Sequence, residues 1–172
     1  HVYADNGIYT VTVTVTDDDG ATTVSTLKAT VSNVAPTLVM GAGQTANEGD
    51  VIILTPPAFN DKGTLDTHTA TINWGDGTLT EIGAVTEAPF GPPGSTNGAN
   101  GTIGRSHIYA DDGVYTVTVT VRDDDGGMAQ GPFKVTVLNV APTLGVSGYY
   151  VHVDDQGAPL PFSGVAGPRM AL

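Results

Sequence analysis

The stretch "YTVTVTVTDDDG", residues 9–20, returns almost unchanged as "YTVTVTVRDDDG", residues 115–126, after an interval of 106 residues. Tyr, Val and Thr alternate along it. A period of two built from β-branched and aromatic residues describes a half-buried strand. Tyr9, Val11, Val13 and Val15 share the face directed at a core, and Thr10, Thr12, Thr14 and Thr16 share the face directed at water. In the second copy Tyr115, Val117, Val119 and Val121 take the inner face. Asp and Gly then punctuate the chain, and a second alternating run follows, "LKATV" in one copy and "FKVTV" in the other. Strand, Asp/Gly turn and strand make a β-hairpin.

The likeness extends beyond the hairpin. Residues 1–38 align without a gap on 107–144, and 25 of the 38 positions are identical, ending in "NVAPTL" both times. A period near 100 residues is too long for a solenoid unit and is the size of a whole domain. The organisation expected is a tandem array of β-domains with truncated repeats at both ends. Residues 1–36 are the last strands of one copy, 37–143 a complete copy, and 144–172 the start of a further domain or a loose tail. Between the hairpins, "VIILT" (51–55), "HTATINW" (68–74), "TLTEIGAV" and "TIGRSHIYA" read as further strands. In "HTATINW" Ala70, Ile72 and Trp74 fall on one face, with Trp74 the core anchor and Tyr109 and Tyr115 packed near it. About seven strands in about 100 residues without helices imply an all-β, Ig-like sandwich with Greek-key connections.

Composition narrows the function. The net charge is −12 with six Lys and Arg, which argues against a nucleic-acid surface. There is no cysteine, so neither disulfide nor thiolate chemistry applies. The longest apolar runs are far too short to cross a bilayer, so no membrane insertion is expected in this segment. Catalysis finds no footing. Ser106 and His107 with Asp111 suggest a triad, but adjacent strand residues point to opposite faces. No zinc spacing links His1, His68, His107 and His152. Nothing here builds a cleft for paired carboxylates.

"ATINWGDGT" followed by "SHIYADDGVYTVTVTVRDDDGG" resembles the polycystic kidney disease (PKD) domain. The matching elements are Trp74 to Gly77, His107 and Tyr109, Gly113 to Val117, and Asp123 to Gly126. The resemblance implies an Ig-like sandwich and a non-catalytic module of secreted or cell-surface proteins, here in the style of large bacterial surface proteins. Such a module acts as a spacer or adhesion unit whose partners are neighbouring repeats. Alternatively it is an accessory module that binds extracellular polysaccharide or protein beside an enzyme.

Two readings of the aspartates stand side by side. They are turn formers and edge-protecting charges, or they are calcium ligands. Some members of the family bind Ca²⁺ near the domain entrance, and carried over, the resemblance implies Asn33, Asp61, Asp66 and Asp123 as the metal residues. Asp17 and Asn139 are the counterparts in the truncated copies. The family loop often reads Asp-x-Asp-Gly, whereas this one reads "NDKGTLDTH". Asp76 reads as turn chemistry, and Asp111 and Asp112 as solvated loop residues. Residues 87–101 form a long Pro/Gly/Asn loop. Its Phe90 is a candidate contact for a sugar ring or partner, and its "NGT" at Asn100 is a glycosylation sequon. Pro36 restricts the linker, so neighbouring copies should pack end to end and move little relative to each other.

Overall fold

A computed structural model describes residues 1–88, 95–145 and 154–158. The chain divides into two compact units, His1–Val140 and Ala141–Leu172. In the second, Asp154 organises a turn, its Oδ1 accepting from the N–H groups of Gln156 (3.0 Å) and Ala158 (2.8 Å).

The first unit is all β among its described residues. It opens with β1 (Gly7–Thr16) and β2 (Thr22–Val31), paired antiparallel from Gly7↔Val31 to Thr16↔Thr22 as a separate two-stranded sheet. There follow β3 (Thr37–Val39), β4 (Gln44–Asn47), β5 (Val51–Ile53), β6 (Ala58–Asp61), β7 (His68–Asn73), β8 (Glu81–Glu87), β9 (Ala99–Gly104), β10 (Ser106–Ile108), β11 (Gly113–Asp123) and β12 (Met128–Leu138). The loop expected at residues 87–101 is shorter at both ends, because Glu87 closes β8 and residues 99–101 open β9. Phe90 lies outside the described residues.

Eight strands run in the order β3-β6-β9-β8-β7-β11-β12-β4, and β5 pairs with β10. The sheet folds over on itself at β8. Residues 81–83 of that strand pair with β7, and residues 84–87 pair with β9. Gly83 stands at the crossover, where a Cβ would approach Ile103 Cγ2 to 2.7 Å. The result is a sandwich. Ile72, Val117, Val119, Val121 and Val135 on one inner face meet Ile52, Leu54, Phe59 and Ile103 on the other. The alternation of β7 is as read: Ala70, Ile72 and Trp74 are buried, and Thr69, Thr71 and Asn73 are exposed. The short β4 was not legible. It pairs parallel with β12, Gln44↔Val135 to Asn47↔Leu138, and so covers an edge that would otherwise be open.

One expectation fails in the first copy. Val119 and Val121 are 0% exposed, whereas their counterparts Val13 and Val15 are 47% and 59% exposed. The hairpin forms in the same register, but no second layer lies over its valine face among the described residues. Alternation states which face favours burial. It does not supply the surface that buries it.

Trp74 anchors the core through a set of ring contacts. His107 stacks on it with centroids 4.6 Å apart, and Tyr109 meets it edge-on at 6.4 Å. The Tyr109 hydroxyl donates to the Trp74 carbonyl (3.1 Å), and the indole N–H donates to Glu81 Oε2 (3.2 Å). Asp76 is more than a turn residue. Besides accepting from Thr78, its Oδ2 lies 2.7 Å from His107 Nε2, which ties the Gly-Asp-Gly turn to the stacked ring. His107 thus faces Asp76, while Ser106 is exposed on the other side of β10.

Candidate metal centre

Three loops converge where β11 ends. The first is the turn between β11 and β12, which holds the second aspartate triplet. Asp123 folds back on it, Oδ1 accepting from the N–H groups of Asp125 (3.1 Å) and Gly127 (2.6 Å). Asp17 accepts from Ala21 N–H in the same way in the first copy (2.7 Å). Asp123 Oδ2 also accepts from the Asn33 side chain of the linker at 2.9 Å. Asp124 accepts from Thr67 N–H at 2.8 Å and so joins the turn to the second loop, which leads into β7 and carries Asp66. The third loop belongs to the first hairpin. Ala4 is buried there, and its carbonyl accepts from Leu65 N–H (3.3 Å) and the Thr64 hydroxyl (3.5 Å).

Asp61, Asp66 and Asp123 are all buried, and one carboxylate oxygen of each lies within 4.8 Å of the others. The four residues implied at the domain entrance, Asn33 included, are therefore neighbours in space. His68 braces Asp61. Its Nε2 lies 3.3 Å from Asp61 Oδ2, and its Nδ1 lies 3.3 Å from Glu87 Oε2.

Asp66 sets the chemistry. It is 2% exposed, and neither carboxylate oxygen has a hydrogen-bond partner among the described residues. Burial first, then the negative charges of Asp61, Asp5, Asp124 and Asp123, push its carboxyl up to about 6 from 3.8. An unpaired buried carboxylate is costly unless something positive reaches it. A set of carboxylate oxygens beside an amide suits a hard cation such as calcium, which takes oxygen ligands, far better than it suits a soft metal. On donor chemistry and on the orphaned oxygens of Asp66, the residues fit the ion.

Two glycines leave the space. A Cβ on Gly63 would collide with the Asp66 carboxylate. One on Gly127 would collide with Asp123 and come within 2.8 Å of the Ala35 backbone. The first copy has Ala21 where the second has Gly127, and Ala21 is exposed. Gly127→Ala is expected to cost about 1–3 kcal/mol through overpacking. Ala21→Gly should stay within about 0.5 kcal/mol. Urea denaturation of both variants checks the contrast, and equal effects would count against the packing argument.

Asp5 and Asp125 were missed. With Asp66 they form a second group whose oxygens lie within 4.8 Å of one another. Asp125 is hidden by its place in a turn. Asp5 is hidden because it lies in a different copy, where its counterpart Asp111 reads as a solvated loop residue. Asp111 and Asp112 are exposed, and with Glu48 they form a third acidic group near the start of β11.

The profile described as PKD domain matches residues 1–31 and 33–137. Among solved structures, the chain is similar to the PKD domain of an M14-like peptidase from a Thermoplasmatales archaeon. The identity is 21% over 62% of this chain and 99% of that one, with a TM-score of 0.40. It is also similar to an ASH/PapD-like domain of human CEP192, at 9% identity over 63% of this chain and 89% of that one, TM-score 0.36. A third similarity is to zebrafish RET cadherin-like domains 1 to 4, at 13% identity over 78% of this chain and 34% of that one, TM-score 0.36.

Proposed function

This chain belongs to the PKD domain family, and from that premise we propose that it is a non-catalytic, extracellular structural or adhesion module. It serves as a spacer in a larger surface or secreted protein, and calcium at the domain entrance stiffens it. The observation that carries the reading is Asp66, buried between Asp61 and Asp123 and unpartnered among the described residues. The linker's Asn33 holds Asp123 directly. A cation held by Asp61, Asp66 and Asp123 would supply positive charge to the buried carboxylates and lock the linker against the turn that follows β11. The Thr-rich outer faces and the repeated strand-and-turn sequence, residues 9–20 and 115–126, also suit a repeated spacer. An accessory polysaccharide- or protein-binding role would rest on Phe90, which lies outside the described residues, so the spacer reading stands first.

Thermal melting of the chain in 10 mM calcium and then in chelator tests this. Extracellular sites of this kind bind at about 10⁻⁴–10⁻³ M, so calcium should add about 1.4–2.7 kcal/mol of stability. Asp123→Ala should remove most of the rise. Coincident curves for the unmodified chain would reduce the triplet to turn residues.

A further inference from the structure

Resting on that reading, we propose a second divalent-cation site at the same entrance, formed by Asp5 of the first hairpin with Asp66 and Asp125. The hairpin thereby becomes a ligand of the domain that follows it. One oxygen from each of the three carboxylates lies within 4.8 Å of the others. An acidic cluster alone would carry little weight. Here one member, Asp66, is buried with both oxygens unpartnered among the described residues, and it belongs to both groups. A carboxylate with two free oxygens can bridge two cations.

Charge balance points the same way. The two groups share Asp66 and together hold five carboxylates. One divalent cation balances two of those five negative charges, and two cations balance four. The loop that carries Asp5 is held in place. The Tyr9 hydroxyl donates to the Asp5 carbonyl at 2.8 Å, Tyr3 stacks on Tyr9 at 4.2 Å, and the Ala4 carbonyl accepts from the Thr64 hydroxyl and the Leu65 N–H. The Asn6 side-chain amide lies 2.8 Å from Asp5 Oδ1 and 2.6 Å from Asp125 Oδ2, so it bridges the half-buried Asp5 and the exposed Asp125. A cleft of about 80 Å³ opens between Asp5, Asn6, Asn33, Gly63 and Asp66, with Lys62 also on its wall. Water occupies about 30 Å³ per molecule in the liquid, so the cleft has room for an ion that keeps part of its hydration, as calcium does.

The test is the calcium stoichiometry of the full chain. Calcium chloride alone is the probe, followed by equilibrium dialysis and calorimetry at protein concentrations near the dissociation constant. The unmodified chain should bind two calcium ions. Asp5→Asn and Asp125→Asn, both at accessible positions, should each bind one and keep most of the thermal rise. Asp66→Asn should bind none. One ion in the unmodified chain, with Asp5→Asn unchanged, overturns the second site and leaves the first standing. No calcium at all overturns the reading beneath both.

Discussion

Asp66→Asn is expected to stabilise the protein in chelator and to leave it less stable than the unmodified chain in calcium. The first effect follows from burial. Unfolding returns the Asp66 carboxyl from about 6 to its ordinary 3.8, so in chelator the folded state holds the proton more tightly than the unfolded chain does. For this group stability falls as pH rises between those two values, and the full penalty is present above about 6. Asparagine has nearly the same shape and no charge, so at pH 7.5 it should gain about 1–2 kcal/mol, within the limit of about 1.4 kcal/mol per pKa unit. The gain should fade as the pH is lowered toward 4.5. In 10 mM calcium the unmodified chain gains about 1.4–2.7 kcal/mol that the variant cannot. Melting midpoints of both proteins, with and without calcium at two pH values, read the crossing directly. Parallel responses to calcium would sink the assignment of Asp66 as a ligand.

Trp74→Ala is expected to cost about 3–5 kcal/mol, the range for removing a large buried aromatic. The ring is 1% exposed, and its loss strands several partners. His107 loses its stacked neighbour, Glu81 loses the indole donor, and Tyr109 loses an edge contact. The midpoint should fall by roughly 15 °C or more for a domain of about this size. Trp74→Phe keeps a ring against His107 and should cost less than half as much. Calorimetry decides between these values, and a loss under about 1 kcal/mol would mean that the core closes around the gap.

The longer strands and the buried face of β7 were legible because side-chain direction alternates strictly along a strand, whereas the short β3 and β6 were not, and "TIGRSHIYA" divides into β9 and β10 of different sheets. Trp74, Ala70 and Ile72 follow from that rule alone. β4 was not legible. "QTAN" carries no apolar alternation, and its place depends on a parallel partner some 90 residues away. Asn33, Asp61, Asp66 and Asp123 could be named from the sequence only through the family resemblance, since no local period marks them. Asp5 and Asp125 escaped because their grouping depends on one copy's loop docking against another copy's turn, and sequence order says nothing about that approach. The exposed Val13 and Val15 give the complementary lesson, for the same seven-residue pattern is buried or bare according to what covers it.

The contact at Asp66 joins unlike surfaces. One side is the loop 3–6 ahead of β1, and the other is the acidic entrance beyond the end of β11. The counterpart loop of the complete copy, 109–112, lies near the start of β11, with Asp111 and Asp112 beside Glu48, whereas the entrance lies at the end of that strand. A joint between different surfaces has polarity. Repeated, it is a head-to-tail joint, unlike the self-complementary contact of a twofold pair. In the proposed spacer, a joint of this kind would give the array two distinguishable ends.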